Sequence, residues 1–269
     1  MAELTADALP RHLQLLWGRE PEGRRGPRPT LSIRKIGEAA VAIADRDGLD
    51  AVSMKSVAAA LGMTSMSLYR YVDSKDALLE VMLDGAYGPC PITVRDNGSG
   101  WRARLTAWAR ALAATRLDHP WIPQATPKVP PTSPHVLDWT DAGVAALTDL
   151  PLDGQQRLSA LLVLDGYLSS HLQLARSIGL GAGAPNEQPS GLSYSQRMAL
   201  LVTPERLPAL AEAALDAFDV EDEDDPEEFY ESELAFGIEL VLDGIAALAS
   251  ASSSKVRSRA GARRGSVLS

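Results

Sequence analysis

The sequence has one cysteine, three phenylalanines and only short runs of consecutive apolar residues. Because the single thiol, Cys90, cannot form a disulfide within the chain, a scaffold held together by disulfides is excluded. The longest purely apolar runs, such as residues 161–164, are far shorter than the ~20 residues that cross a bilayer. Pro10, Arg11 and His12 interrupt the amino-terminal region before the apolar core of a signal peptide develops. We therefore expect a cytoplasmic protein that makes no membrane contact.

The net charge of −9 is distributed unevenly along the chain. Residues 24–75 have nine basic and five acidic side chains, whereas residues 89–254 have ten basic and 23 acidic ones. Residues 255–269 have five basic side chains and no acidic ones. Affinity for nucleic acid depends on the local field, over a Debye length of about 10 Å, rather than on the total charge. The amino-terminal part can therefore meet phosphates although the whole chain is acidic.

The apolar pattern predicts an all-α fold, because alanine and leucine are abundant and β-branched runs are absent. Four polar residues suited to cap helices precede the first periodic stretches: Ser32, Ser53, Thr64 and Ser74. Gly48 and Gly62 are suited to end the first two helices. The third helix is expected to reach Val72. Later helical patterns cover residues 101–119, 135–149, 154–179, 193–217 and 227–250.

Ala58, Gly62 and Leu68 have the spacing of a helix-turn-helix. A small residue in the first helix lets the second helix cross close above it, and glycine tolerates the left-handed backbone of the turn. An apolar residue in the second helix fills the gap between the two. Val57 and Leu61 complete the apolar floor. This combination predicts a DNA-binding unit.

The outer face of the second helix has groups that a DNA major groove can receive. These groups belong to Thr64, Ser65, Ser67, Tyr69 and Tyr71. Lys75 follows where a phosphate would lie. A polar face can simply be solvated, but two tyrosines on it favour DNA binding. Upstream, Arg24, Arg25 and Arg28 lie in a proline-rich segment that we interpret as a solvated linker or as an arm entering the minor groove.

The pattern Leu68-Tyr69-x-Tyr71-Val72, followed by Ser74-Lys75 and Leu78-Leu79, resembles the amino-terminal domain of the tetracycline-repressor (TetR) family. The resemblance covers residues 32–86. It is looser over the helical remainder, where Phe236-Gly237 and Asp243-Gly244 are similar to the last dimer helix of some members. It implies a sequence-specific transcriptional regulator, a repressor by default, that a small-molecule effector releases from its operator.

The resemblance also implies roles for individual residues. Ser65, Met66, Ser67 and Tyr71 match positions that face base edges in the family. Ser53, Lys55, Tyr69 and Lys75 match positions that hold phosphates. Met66 stands where some members have a more polar residue or proline, so their base preference does not carry over. In the family, the effector tilts the fourth helix, here residues 74–86, and moves the two DNA-binding heads out of register.

Two DNA-binding heads require an interface that holds them at a fixed spacing. One stripe of the last helix contains Tyr230, Leu234, Gly237, Val241, Gly244 and Leu248, and its two glycines allow another helix to approach. The helix over 154–179 has a second apolar stripe. We expect a homodimer on palindromic double-stranded DNA, built from the helices over 154–179 and 227–250, as the resemblance also implies. The alternative is that both stripes pack within one chain.

Aromatic and polar side chains concentrate in the first half of the helical body, as in pockets between bundle helices. The candidate pocket residues are Trp108, Trp121, His135, Trp139, Tyr167 and His171. A tryptophan stripe is also typical of an ordinary core.

Four parts follow: a flexible basic arm (1–30), a helix-turn-helix DNA-binding domain (31–86), a helical ligand-binding and dimerisation domain (87–250) and a disordered basic tail (251–269). Two alternatives remain, a DNA-binding regulator without an effector and a helical enzyme. Gly179, Gly181 and Gly183 suggest a nucleotide loop, but no predicted strand precedes them. The four histidines lack metal-ligand spacing. We expect no catalytic residue, no metal and no cofactor.

Overall fold

The computed structural model describes residues 8–19, 31–91, 94, 100–177, 194–217 and 226–265. Within these ranges the chain forms helices and no strand, so the predicted fold class is confirmed. The helices are α1 Arg11–Leu16, α2 Ile33–Asp47, α3 Met54–Ala60, α4 Ser65–Leu68, α5 Lys75–Tyr87, α6 Trp101–Asp118, α7 Pro134–Ala146, α8 Gly154–Ser177, α9 Tyr194–Leu201, α10 Pro208–Ala217 and α11 Pro226–Gly265. Short 3-10 turns cover Leu49–Ala51 and Ile122–Gln124.

The predicted starts of the helices in the amino-terminal region are confirmed by their capping hydrogen bonds. Each predicted cap accepts a backbone N–H from the residue three positions later: Ser32 from Lys35, Ser53 from Ser56, Thr64 from Ser67 and Ser74 from Ala77. A cap of this kind stabilises a helix by about 1 kcal/mol. Gly48 (φ +85°) and Gly62 (φ +65°) adopt the left-handed backbone region that favours glycine.

Two apolar cores organise the fold. The first is formed by α1 to α5 and also receives Trp121 and Ile122 from the turn after α6. The second is formed by α6, α7, α8 and α11. Tyr87, at the end of α5, packs against both. Helix α5 is therefore the element that joins the two cores.

The prediction of a flexible arm over residues 1–30 is wrong for its first part, because residues 8–19 contain α1. His12, Leu13 and Leu16 are buried on the core face of α1, which contacts α2 and α5. Their spacing of one and three residues places them on one face of a short helix. Arg24, Arg25 and Arg28 lie outside the described residues.

Three helix predictions need correction. The pattern over 193–217 is two helices, α9 and α10, since Pro204 and Pro208 cannot continue a helical hydrogen-bond ladder. Helix α4 ends at Leu68, and turns continue to Tyr71. The tail expected to be disordered from residue 251 continues α11 as far as Gly265. No proline interrupts that tail, and its alanines and arginines favour helix.

One described stretch of α11, Tyr230–Ser253, is long and apolar enough to cross a bilayer by length and composition. Its unbroken apolar runs are short, so run length alone does not predict a membrane span here. A helix that packs inside a protein passes the same test. One face of this stretch packs on α8 through Leu234, Ile238 and Leu242, which are buried.

Candidate DNA-binding face and effector cavity

Helices α3 and α4 form the predicted helix-turn-helix. Val57 and Ala58 of α3 and Leu68 of α4 are almost completely buried. The turn passes through Gly62 in the left-handed region. The small, turn-forming and apolar positions therefore have the roles that their spacing predicts, and the packing of α3 holds α4 in place.

The outward side of α4 and the turn after it have large exposed side chains. Met66 is 78% exposed and Tyr69 is 48% exposed, both high values for apolar and aromatic side chains. Ser65 and Ser67 are half-buried, and Thr64 Oγ1 lies 3.0 Å from Ser67 Oγ. An exposed methionine on α4 and an exposed tyrosine directly after it give this unit a surface suited to contact another molecule.

The remaining sequence-predicted DNA contacts surround α4. Ser53, Lys55 and Lys75 are exposed. Tyr71, which was expected to point outward, is half-buried and packs against the first core. Tyr71 lies in the turn after α4, three residues beyond Leu68. At that helical spacing its side chain falls partly on the same side as the buried Leu68.

Helix α1 contacts the DNA-binding unit at two places that sequence reasoning missed. Arg11 Nε donates to the carbonyl oxygen of Arg70, 2.7 Å away, in the turn that follows α4. His12 Nε2 lies 2.9 Å from Glu80 Oε2 of α5. The pair of apolar residues Leu13 and Leu16, spaced as on one helix face, was the available signal for this helix.

A cavity of about 430 Å³ lies between α5, α6, α7, α8 and the loop that follows α6. Leu83 and Tyr87 of α5 form part of its wall, as do Trp108 and Leu112 of α6. A volume of this size is typical of small-molecule sites. Because α5 begins at Lys75 beside α4, the cavity and the DNA-binding unit share one helix.

Of the six candidate pocket residues, two line the cavity and four lie elsewhere. Trp108 and Trp139 line the cavity, and Trp108 Nε1 donates to the carbonyl oxygen of Trp139 at 2.8 Å. Trp121 belongs to the first core, where its Nε1 donates to Asp45 of α2 at 2.7 Å. The backbone N–H of His135 donates to Asp84 of α5 at 2.8 Å. Trp121 and His135 are not among the described lining residues.

Tyr167 and His171 form a separate stack between α8 and α11. Their ring centroids are 5.7 Å apart, and His171 lies 4.9 Å from the ring of Tyr230. Burial lowers the pKa of His171 and raises the pKa of Tyr230 to about 12. The prediction that these residues line the cavity is wrong, because they follow the side of α8 that faces α11.

The cavity also has a polar end that sequence reasoning missed. The Arg116 side chain is 4% exposed and pairs with the Asp165 carboxylate. It also donates to Ser169 Oγ (3.0 Å) and to the Tyr87 hydroxyl (3.4 Å). Burial opposes the charge, but Tyr87 and Asp165 outweigh it, so the pKa of Arg116 is raised and the guanidinium stays charged. The available sequence signal was Arg116 itself, a charged residue that continues the apolar stripe of α6 four positions after Leu112.

Helices α8 and α11 each keep a second, exposed apolar face. The large exposed side chains are Leu158, Leu162 and Val163 on α8 and Phe236, Leu240 and Leu248 on α11. The stripe predicted on α11 is divided: Tyr230, Leu234 and Gly237 are buried within the chain, whereas Gly244 and Leu248 are exposed. Gly237 is close to Tyr167 of the same chain rather than open to a second copy.

Two family matches cover most of the chain. Residues 36–82 match the bacterial regulatory proteins of the tetR family, and residues 95–249 match the tetracyclin repressor-like C-terminal domain. The second match alone covers more than half of the chain. The chain belongs to the TetR family.

Curated relatives agree with this assignment. This TetR-family chain is 41% identical over 160 residues to the HTH-type transcriptional repressor DrrR1 of Streptomyces coeruleorubidus, covering 59% of this chain and 58% of DrrR1. It is 32% identical over 153 residues to an HTH-type transcriptional regulator of Saccharopolyspora erythraea, covering 57% of this chain and 64% of the relative. The match therefore spans less than two thirds of either relative.

Solved structures show the same fold at lower identity. Apo ActR of Streptomyces coelicolor superposes with a TM-score of 0.63 at 20% identity, covering 83% of this TetR-family chain and all of ActR. ActR in complex with actinorhodin superposes with a TM-score of 0.63 at 19% identity, covering 82% of this chain and 98% of that one. These likenesses establish the shared fold.

Proposed function

We propose that this TetR-family chain is a transcriptional repressor that binds palindromic DNA as a homodimer and is released when a small molecule fills the cavity. The observation that supports it best is the exposure of Met66 on α4 and of Tyr69 directly after it, since α4 itself packs on the buried residues of α3. DrrR1, a relative at 41% identity, is itself a repressor. A dimer that covers a promoter blocks transcription without further machinery.

On the DNA side, α4 enters the major groove. Thr64 faces the groove, and Ser65, Met66, Ser67 and Tyr71 face base edges. The phosphate contacts are made by Ser53, Lys55, Tyr69 and Lys75. The arm residues Arg24, Arg25 and Arg28 enter the adjacent minor groove. Phosphate contacts supply most of the affinity, and the base contacts of α4 supply the discrimination.

The second copy packs on the exposed apolar faces of α8 and α11. Leu158, Leu162 and Leu240 are large apolar side chains left exposed on these two helices, and exposed apolar surface often marks interaction sites. Two helices from each chain form a four-helix interface and place two copies of α4 at a fixed spacing. Burial of these leucines drives the association.

Helix α5 couples the cavity to α4. Leu78 and Met82 fix α5 in the first core, and Leu83 and Tyr87 of the same helix line the cavity. A ligand shifts the equilibrium only if it binds the DNA-free arrangement more tightly than the DNA-bound one. ActR, which has the same fold, has been solved with actinorhodin bound.

The DNA-binding claim is tested with a duplex from the region upstream of the gene and a scrambled duplex of equal length. Fluorescence anisotropy should give tighter binding to the upstream duplex. Met66→Ala should reduce that preference by several-fold, since each good base contact discriminates by ~1–3 kcal/mol. The control is Leu200→Ala, whose side chain is 68% exposed on α9, far from α4 in sequence. Equal loss in both variants, or no preference in the parent protein, would contradict the claim.

The dimer is tested by sedimentation. Leu240→Glu places a charge on the exposed face of α11, where the side chain is 62% exposed, and should convert the dimer to monomer. Val129→Glu is the control, because Val129 is 72% exposed on the loop before α7. A parent protein that sediments as a monomer at micromolar concentration refutes the proposed assembly.

A further inference from the structure

We propose that α1 adds a second, sequence-independent contact with DNA, in which Arg11 and the neighbouring Arg70 bind backbone phosphates beside the groove that receives α4. The inference rests on the proposed function, because it takes α4 to face DNA. Its observations are the hydrogen bond that ties Arg11 to the turn after α4, the exposure of both arginines and the packing that fixes α1. Arg11 precedes residues 36–82, the part of the chain that matches the bacterial regulatory proteins of the tetR family.

Arg11 lies against the turn that follows α4. Its Nε donates to the carbonyl oxygen of Arg70 at 2.7 Å. This bond uses one of the five N–H donors of the guanidinium, and no described residue accepts from Nη1 or Nη2. Because Arg11 is exposed, its remaining donors are open to solvent beside a turn that continues directly from Tyr69.

Arg70 supplies a second cation at the same place. It follows Tyr69, one of the proposed phosphate contacts, and its side chain is exposed. The contact with α1 uses the backbone oxygen of Arg70, so it leaves the guanidinium available. Two guanidinium groups therefore lie at the end of α4, and each can bind a phosphate through two parallel hydrogen bonds.

The carboxylates at the start of α5 have other partners. Asp76 pairs with Lys128 at 2.8 Å, and Glu80 lies 2.9 Å from the His12 ring. Asp73 forms no ion pair with either arginine in the part of the chain that the structure describes. The two arginines therefore keep positive charge that a DNA phosphate can neutralise.

Helix α1 holds Arg11 in place. Leu13 and Leu16 of α1 are buried in the first core. Just after the helix, Trp17 Nε1 donates to the carbonyl oxygen of Thr132. The helix is thus anchored along its length and at its far end. A side chain on a fixed helix loses less conformational freedom on binding, which favours a phosphate contact at Arg11.

A phosphate contact and a structural role predict different results. Phosphate contacts position a protein on DNA but read no sequence. Loss of such a contact weakens binding to any duplex by the same factor and reduces the salt dependence. A residue that only supports α4 would instead change the preference for the upstream duplex over the scrambled one.

The test measures the affinity of the full-length protein for the upstream and the scrambled duplex over a series of salt concentrations. Arg11→Met should make the fall of affinity with salt less steep, by about 0.9 for each lost phosphate contact and hence about 2 for a dimer. Arg70→Met should have the same effect, and it leaves the backbone acceptor of Arg11 intact. Both variants should keep the parent ratio of the two affinities.

Two variants are matched controls. Arg19→Met removes an exposed arginine beyond the other end of α1 and should leave the salt dependence unchanged. Arg11→Lys keeps the positive charge without the Nε–H group that binds Arg70, and should keep the parent salt dependence. Thermal unfolding verifies that each variant is folded. Arg70→Met decides the question even if Arg11→Met displaces α1.

The outcomes separate this inference from the proposed function. If Arg11→Met or Arg70→Met keeps the parent salt dependence while Lys75→Ala reduces it, the inference is overturned and the proposed function stands. If Arg11→Met and Arg11→Lys both lower the preference for the upstream duplex at unchanged salt dependence, Arg11 only supports α4, which also overturns the inference. A parent protein that retains neither duplex at low salt refutes the proposed function, and the two phosphate contacts with it.

Discussion

His12 Nε2 lies 2.9 Å from Glu80 Oε2, which joins α1 to α5 across 68 positions of sequence. The other carboxylate oxygen of Glu80 accepts from the backbone N–H of Thr132 at 2.6 Å. Trp17, just after α1, donates from Nε1 to the carbonyl oxygen of Thr132 at 3.1 Å. Glu80 therefore holds together α1, α5 and the loop that borders the cavity.

Glu80→Gln should lower the free energy of unfolding by ~1–3 kcal/mol, because hydrogen bonds to charged groups contribute about that much. Chemical denaturation at neutral pH measures the change. Glu38→Gln, an exposed acid on α2, is the control and should have little effect. If the two variants are equally stable, Glu80 does not hold these segments together.

The same carboxylate predicts a pH dependence of stability. Burial would raise the pKa of Glu80, but the hydrogen bonds from His12 and Thr132 outweigh it and the pKa is lowered. The contribution of Glu80 is therefore fully present above the ordinary pKa of 4.5 and is lost as the pH falls through the lower folded value. Denaturation curves should show that Glu80→Gln loses less stability than the parent protein between pH 5 and pH 3. If Glu80→Gln and the parent protein lose equal stability over this range, Glu80 is not the source of the pH dependence.

Gly237→Ala should destabilise the packing of α11 on α8. A methyl group at residue 237 would lie 2.0 Å from Tyr167 Cζ, so the tyrosine or the helix must move. Overpacking of this kind costs ~1–3 kcal/mol, measured as a lower unfolding free energy. In a Tyr167→Ala background, Gly237→Ala should cost less than in the parent protein, because the contacting ring atoms are removed.

Gly244→Ala is the matched control on the same helix. A methyl group there meets no atom of the chain within 4 Å. Alanine is the better helix former by about 1 kcal/mol, so in the monomeric Leu240→Glu background this variant should be as stable as its parent or more stable. Equal destabilisation at both positions would show that Tyr167 is not the reason for glycine at residue 237.

Acid should weaken the contact between α8 and α11 through His171. Burial lowers the pKa of His171, so the unfolded chain takes up a proton at a pH where the folded chain does not. Stability is therefore lost as the pH falls below about 6.5, the ordinary value for histidine. His171→Phe should lessen the loss between pH 7 and pH 5 in denaturation curves. An unchanged pH profile would exclude His171 as its source.

The amino-terminal unit was largely predictable because its signals are local. Ser53, Thr64 and Ser74 cap helices through residues three positions away, and Gly62 marks a turn by its backbone alone. Ala58 and Leu68 are ten positions apart and follow a fixed spacing. Helix α1 was missed because its apolar face is short and lies among prolines, arginines and glycines.

The cavity was only partly predictable because five separated segments build it. Trp108 and Trp139 were found by residue type, but residue type also selected Trp121, which packs on α2 instead. Arg116 and Asp165 are 49 positions apart, and no local pattern pairs them. The direction in which each aromatic side chain packs depends on contacts between helices, which sequence periodicity does not specify.

The most direct test of the account is the salt dependence of DNA binding. The logarithm of the binding constant for the upstream duplex should fall linearly with the logarithm of the salt concentration. Lys75→Ala should reduce the steepness of that fall by about 0.9 for each lost phosphate contact. Because a dimer loses two such contacts, the total reduction should be about 2. Arg206→Ala, an exposed basic residue before α10, should leave the slope unchanged. The claim that α4 and the residues around it bind DNA would be contradicted if the protein retains no duplex at low salt. It would also be contradicted if Lys75→Ala does not alter the slope.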